Sequence, residues 1–332
     1  MTDTSAVTED FADAGPDVEA RAFVIDAAHH GGRLDRALAD FAPEFSRSYL
    51  QQLIEAGAVT IGQERASRSS RKVKAGEAGT LELRPTPQSQ AFRPEAMPLD
   101  VVHEDEHLLV VNKPPGLVVH PAPGNWSGTL LNGLLARDPG AAMLPRAGIV
   151  HRLDKDTSGL MVVARTRVAM DALVRMIAAR EVSREYAALA HRPWSGGATR
   201  HVDAPIGRDP RNRLRMAVVE GGKPASTTFR LLQDAEAGCW VHATLGTGRT
   251  HQIRVHMAHI GHALVADEVY GGAPAAGMAR QALHAWRLAF AHPVTGVPLD
   301  FRAELPDDLC GALAAWGLRY NRLEWLTSHA PG

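Results

Sequence analysis

Cysteine is almost missing from this chain. Its 332 residues hold two, Cys239 and Cys310, far apart and outside any Cys-x-x-Cys pattern. That argues against a disulfide framework and a cysteine zinc site, and it fits a reducing cytoplasm. Long apolar runs are missing as well, since none approaches the roughly 18 residues of a membrane-spanning helix. The N-terminus lacks the basic and apolar segments of a secretory signal. Phosphate-binding loops are absent. Gly221-Gly222-Lys223-Pro224 has no upstream glycine and no Ser or Thr after its lysine, and Gly246-Thr247-Gly248 has no third glycine. No His-Glu-x-x-His occurs. His256, His259 and His262 invite a zinc reading, but His262 follows Gly261, past the end of a helix carrying the other two. No acidic or cysteine partner lies within that run. The expectation is a chain without metal or cofactor and outside the membrane.

What is present is ordinary in bulk and uneven in charge. Hydrophobic residues make up 45% and charged residues 22%, a globular composition, and the length predicts two domains. The net charge is −1, yet the first 20 residues hold six acids and no lysine or arginine, which leaves the remainder at +5. A mild basic excess permits nucleic-acid binding without requiring it.

Residues 1–22 are acidic and without apolar period, the pattern of a disordered tail. Residues 23–84 read as a small α/β domain. In it Ser48-x-x-Gln51 suggests a capping box, Leu50, Leu53 and Ile54 follow at helical spacing, and Gly57 supplies a stop. Val59-Thr60-Ile61, Lys72-Val73-Lys74 and Leu81-Glu82-Leu83 read as strand edges. Pro85, Pro87, Pro94 and Pro98 mark a linker over residues 85–98. Residues 99–325 alternate strands (107–112, 160–164, 182–190, 226–233, 239–245, 283–290) with helices (129–137, 168–180, 250–260). Ile253, Met257 and Ile260 share a face of the last helix. Strands outnumber helices and crossover helices are few. The expected class is therefore α+β, a mixed, largely antiparallel sheet with flanking helices.

The richest stretch for chemistry is His151-Arg152-Leu153-Asp154-Lys155-Asp156-Thr157-Ser158-Gly159. The apolar run Leu160 to Ala164 follows directly and reads as a buried strand. Asp154, flanked by Arg152 and Lys155 and anchored against that strand, is a carboxylate within reach of solvent; Asp156 is its rival on chemistry alone. Four further segments stand out: Lys113-Pro114-Pro115-Gly116, Arg184-Glu185-Tyr186, Gly246-Thr247-Gly248-Arg249-Thr250-His251-Gln252-Ile253-Arg254, and Arg280-Gln281-Ala282-Leu283. Arg200, Arg208, Arg211, Arg213 and Arg215 crowd a Pro- and Gly-containing loop suited to phosphate contact.

In this order the segments resemble the large-subunit ribosomal RNA pseudouridine synthases, whose signature is His-Arg-Leu-Asp-x-x-Thr-Ser-Gly. The small domain resembles the RNA-binding module named after ribosomal protein S-four, through Gly32 to Leu38, Ser46-Arg47-Ser48 and Leu53 to Val59. The resemblance implies the pseudouridine synthase fold and isomerisation of uridine to pseudouridine in large-subunit ribosomal RNA or its precursor particle, without cofactor. It makes Asp154 the catalytic carboxylate and Arg249 its ion-pair partner. Tyr186 would stack on the base, Arg152 would stand where the flipped base enters, and Leu283 would line the apolar floor. Arg33, Arg36, Arg47, Lys72 and Lys74, with Arg208, Arg211 and Arg213, are the expected RNA contacts. The module and Pro205-Ile206-Gly207-Arg208 favour the class D subtype. The class C subtype and a non-catalytic RNA-binding assembly factor are the alternatives. Attack at C1′, attack at C6 and removal of a 2′ proton all use the same residues. The chain departs from the family pattern at Arg184, where lysine is usual, at Ala263 for proline and at Ala266 for glycine. A cytoplasmic monomer is expected.

Overall fold

A computed structural model describes residues 19–86 and 90–321. The chain divides into two compact units, Met1–Ala91 and Phe92–Gly332.

The first unit runs β1 (Glu19–Val24), α1 (Leu34–Phe41), α2 (Arg47–Glu55), β2 (Val59–Ile61), β3 (Glu64–Arg65) and β4 (Ala78–Leu83). Its antiparallel sheet has the order β1-β4-β2-β3. The helical spacing of Leu50, Leu53 and Ile54 does place all of them in the core, against Leu34 and Leu38 of α1 and Val59 and Leu81 of the sheet. Three sequence readings need correction. Residues 19–22 are not tail but part of β1, paired with β4 from Glu19↔Leu83 to Val24↔Ala78. Only Phe23 of that strand is buried, so backbone pairing rather than an apolar pattern makes the strand. Residues 1–18 of the expected tail, and 322–325 of the expected second domain, lie outside the described residues. The cap of α2 is Ser46, whose hydroxyl accepts from the Tyr49 N–H at 3.2 Å, and Gln51 serves no capping box. The Gln51 amide donates instead to Asp35 at 2.5 Å, because a buried carboxylate needs donors more than an exposed helix end does. Lys72-Val73-Lys74 forms no strand; Val73 exchanges backbone hydrogen bonds with Gly31 and Gly32, and Lys72 makes a single bridge to Arg33.

The second unit contains β5 (Val101–Glu104), β6 (Leu108–Lys113), α3 (Leu130–Arg137), β7 (Ser158–Ala164), α4 (Arg167–Ala179), β8 (Ser183–His191) and β9 (Thr199–Asp203). The hairpin of β10 (Ile206–Arg208) and β11 (Met216–Val218) follows, then β12 (Ser226–Asp234), β13 (Gly238–Leu245), α5 (Gln252–His259), β14 (Leu283–Ala291), β15 (Pro298–Arg302) and α6 (Asp307–Ala315). The large sheet runs β5-β6-β7-β14-β8-β13-β12-β9, with β15 also on β14. Its one parallel pair among the described residues is β7 with β14; the others are antiparallel. The class is the expected α+β. Every residue of β7 is buried, as its unbroken apolar run requires. Alternation sends Met161, Val163, Tyr186 and Ala188 toward α3 and α5, while Leu160, Val162 and Leu288 pack on Ala169 and Leu173 of α4. Ala187, Leu189 and Trp286 pack on Leu309 and Leu313 of α6. No helix among the described residues is long and apolar enough to cross a membrane.

The parallel junction sits at Gly159, the last residue of the His151–Gly159 segment. Gly159 has φ +116°, and a Cβ there would lie 2.2 Å from the Ala285 carbonyl oxygen of β14. Neither the conformation nor the space suits an L side chain. Gly159→Ala should destabilise the protein by about 3 kcal/mol or more, read as a lower urea midpoint; an unchanged midpoint would show that β14 can move aside.

Candidate active site

The segments singled out in the sequence meet at the edge of the parallel junction. Arg152 and Asp154 from the loop before β7, Tyr186 from β8, Arg249 from the turn before α5 and Leu283 from β14 line one cavity of about 360 Å³. That lies within the roughly 300–1,000 Å³ of small-ligand sites. Asp156 is absent from the lining. The structure thus separates the two carboxylates that the sequence left as rivals.

The loop carrying Asp154 is pinned at its carbonyls. The Lys113 ammonium, 1% exposed, donates to Pro114 O, Leu117 O and, at 2.9 Å, to Lys155 O. Burial pushes its pKa down to about 8. Arg280 forks onto Asp308 and spends a further donor on Asp156 O at 2.9 Å. The Thr157 N–H closes the turn on Asp154 O, and Gln281 reaches Thr157 Oγ1. Backbone groups on both sides of Asp154 are thereby fixed, and its side chain stays 16% exposed to the cavity.

The cation beside Asp154 is Arg254, not Arg249. Arg254 Nη1 donates to Asp154 Oδ2 at 3.1 Å. Its Nε and Nη2 donate to the two oxygens of Asp267 at 2.7 and 2.8 Å, a bidentate fork that fixes the guanidinium plane. The Tyr270 ring lies 5.1 Å from its Cζ. Asp267 is 1% exposed, and Ala266 before it holds φ +57°, a left-handed conformation that glycine adopts more readily than alanine. His251 adds a weaker contact, Nε2 to Asp154 Oδ1 at 3.8 Å. Its Nδ1 bonds the Tyr270 hydroxyl at 2.9 Å, and that hydroxyl accepts from the Met216 N–H. Burial lowers the His251 pKa, which favours the neutral ring. In the tautomer with its proton on Nε2, the hydroxyl donates to Nδ1 and Nε2–H faces Asp154.

Arg249 is exposed, and its Nε donates to Pro224 O at 3.0 Å. Its turn is clamped by Gln252, which accepts from the Arg249 N–H and the Thr247 hydroxyl and donates to Ser226 O. Position on the helix explains the difference. Arg254 is the third residue of α5, between the core residues Ile253 and Val255, where a cation must find an anion. A charge amid that apolar helix face was the signal available in the sequence. Tyr186 is 5% exposed, and burial pushes its phenol up to about 12, so it stays protonated. Leu283 is buried at the start of β14.

A shallow groove continues from the cavity past Gly248, Arg249 and Thr250 to Arg208 and Lys223. Arg208, Arg211 and Arg213 are exposed on the β10–β11 hairpin loop. The loop is shaped by buried Asp209, which accepts from the Arg211 N–H and from Arg215 Nε at 2.7 Å. In the first unit Arg33 and Arg47 converge on Asp35 at 2.9 and 3.0 Å, and those hydrogen bonds, Arg33's foremost, hold its carboxyl well below the usual range. Arg36, Lys72 and Lys74 are exposed. Two of the three histidines that invited a zinc reading make other contacts, and the third, His259, is exposed. His256 bonds Thr227 Oγ1 and Ala204 O, and His262 stacks on Trp194.

Asp267→Asn should cost about 3–5 kcal/mol by leaving Arg254 half-paired in the interior. Urea denaturation checks this, and a loss below 1 kcal/mol would show that Arg254 is held by other means.

Comparison with known proteins agrees with this geometry. The family described as RNA pseudouridylate synthase matches residues 107–259, and the S4 domain matches residues 32–78. The chain is 50% identical over 293 residues to ribosomal large subunit pseudouridine synthase D of Neisseria meningitidis, covering 84% of this chain and 77% of that one. It is 48% identical over 298 residues to the protein of that name from Xylella fastidiosa, 86% and 89% of the two chains. For Escherichia coli O157:H7 the figures are 45% over 292 residues, 84% and 89%. Among solved structures, human RNA pseudouridylate synthase domain containing 1 shares the fold, with TM-score 0.56 at 24% identity over 75% of this chain and 98% of that one. Sequence, cavity and kinship converge, and the chain belongs to the RNA pseudouridylate synthases, with an S4 domain ahead of the synthase region.

Proposed function

We propose that this enzyme converts specific uridines of large-subunit ribosomal RNA to pseudouridine, with Asp154 as the catalytic carboxylate. The observation that carries the reading is a half-buried carboxylate, anchored by a guanidinium that is itself forked onto a second acid, at the wall of a base-sized cavity. The names of the relatives supply the RNA class.

The reaction breaks N1–C1′, turns the base and joins C5 to C1′. Uridine and pseudouridine have the same composition, so the balance needs no co-reactant. Arg254 keeps Asp154 aimed, at no cost of reorganisation during the reaction. The target base must leave its stack to reach the cavity. Tyr186 offers it an aromatic face, Leu283 an apolar floor, and Arg152 at the rim a planar cation to take the vacated place in the RNA. Arg249, Arg208, Arg211 and Arg213 follow the groove that leads away and suit successive phosphates. In the S4 domain the exposed Arg36, Lys72 and Lys74 suit phosphates of structured RNA, with Arg33 and Arg47 beside Asp35 as further contacts.

Asp154→Asn should lower single-turnover isomerisation at least about 10³-fold while RNA affinity stays within about threefold. Carbodiimide–primer-extension mapping of ribosomal RNA from a deletion strain carrying either protein reads the first, and filter binding the second. Turnover by the variant would sink the role given to Asp154. Replacing Arg36, Lys72 and Lys74 by alanine should weaken RNA binding and flatten its salt dependence by about one power of salt per lost phosphate contact. An unaltered slope would remove that face from the RNA interface.

A further inference from the structure

Arg184 is the second residue of β8, two before Tyr186 and so on the same face of the strand. It is 8% exposed and lines the cavity that holds Asp154. Buried guanidiniums are as a rule paired, and Arg254, comparably buried, has two carboxylates. No described residue forms an ion pair with Arg184 or accepts a hydrogen bond from its guanidinium, and its Nε is fully enclosed without an acceptor. A second orphan lies nearby. The Val162 N–H donates to His151 Nε2 at 3.0 Å, so the ring proton sits on Nδ1, and Nδ1 is likewise enclosed without an acceptor. Burial and then the Arg184 charge push the His151 pKa down to about 3, so that ring stays neutral. The glycine turn makes room for the cation, since a Cβ on Gly248 would lie 2.7 Å from Arg184 Nη1. This wall of the cavity therefore holds donors in excess of acceptors, beside an aromatic ring. A planar ligand with carbonyl oxygens that gains negative charge is what it lacks.

We propose that Arg184 is a catalytic residue that donates to a carbonyl oxygen of the extruded uracil and stabilises the negative charge the base carries during the reaction. The inference rests on the pseudouridine synthase reading above. When N1–C1′ breaks, its electron pair stays on the base, spread over N1, O2 and O4. C5 then bonds to C1′, the C5 proton leaves, and N1 takes up a proton. If Asp154 instead adds at C6, the pair moves onto O4. Charge reaches the uracil oxygens in each variant, so the role of Arg184 does not depend on which one operates. A backbone phosphate is the weaker candidate. The exposed arginines at the rim suit it, whereas Arg184 shares its strand face with the ring that receives the base.

The test uses the full-length enzyme, large-subunit ribosomal RNA transcripts tritiated at uridine C5, and single-turnover tritium release. Arg184→Met should slow release by about 10²–10³-fold with RNA affinity within about threefold, and Arg184→Lys should recover most of the rate. Removing an unpaired buried charge should also raise the melting temperature of Arg184→Met by about 2–4 °C. Transcripts carrying 4-thiouridine or 2-thiouridine should slow the wild type far more than Arg184→Met, because sulfur accepts hydrogen bonds weakly. Wild-type release with an unimpaired Arg184→Met overturns the proposal for Arg184 alone. So does a lower melting point or failure to fold, which assigns a structural role, or sensitivity to phosphorothioate rather than thiouracil, which assigns a phosphate. Wild type that releases no tritium from any transcript overturns the parent reading and this one with it.

Discussion

One guanidinium shared by two carboxylates organises this molecule. Asp267 takes two donors of Arg254 in a fork and leaves Nη1 for Asp154. The arrangement joins three pieces of chain: the loop before β7, helix α5, and the turn after the left-handed Ala266. Its asymmetry matters. The fully buried acid fixes the cation, and the cation then orients the acid that faces the cavity. Were the pairing reversed, Asp154 would be the buried anchor and no carboxylate would remain for a substrate.

Around that tie several buried polar groups find full sets of partners. Lys113 finds three carbonyls, Arg280 a carboxylate and three carbonyls, and Gln252 two partners in the glycine turn and two on β12. Of the buried side-chain atoms without a partner among the described residues, Arg184 Nε and His151 Nδ1 belong to residues that line the cavity, and unpaired buried donors cost stability. Sites that bind charge tend to hold such costs in the free protein.

How much of this was legible beforehand depended on range. Apolar runs placed β6, β7, β8, β12, β13 and β14 within a residue or two, because these strands, β12 apart, are mostly buried and write that burial into consecutive residues. Asp154, Tyr186, Arg249 and Leu283 were found through family segments and do share a cavity. What escaped was set by partners distant in sequence. Arg254 and Asp154 are 100 residues apart, and nothing local distinguishes the paired arginine from Arg249 except the apolar company it keeps. β1 escaped because its single buried residue carries no period. The cap of α2 was misplaced by two residues because Asp35, on another helix, claimed the glutamine that completed the motif. The short strands β9 and β15 and the helix α6 had patterns too weak to separate from loop.

The parallel junction of β7 and β14 also has a bearing on the order of events during synthesis. Ser158 and His284, bonded across it at 2.9 Å, are separated by 126 residues, while β6 precedes β7 closely and pairs with its other edge. A chain made at about 5–20 residues per second therefore leaves one edge of a strand destined for full burial open for roughly 6–25 s. Ribosome-bound chains in that window expose the kind of template that β-pairing with a stranger requires. The pocket cannot close earlier, because its floor, Leu283, arrives with the strand that seals that edge. Access to a uridine and protection from misassembly are thus acquired in the same step.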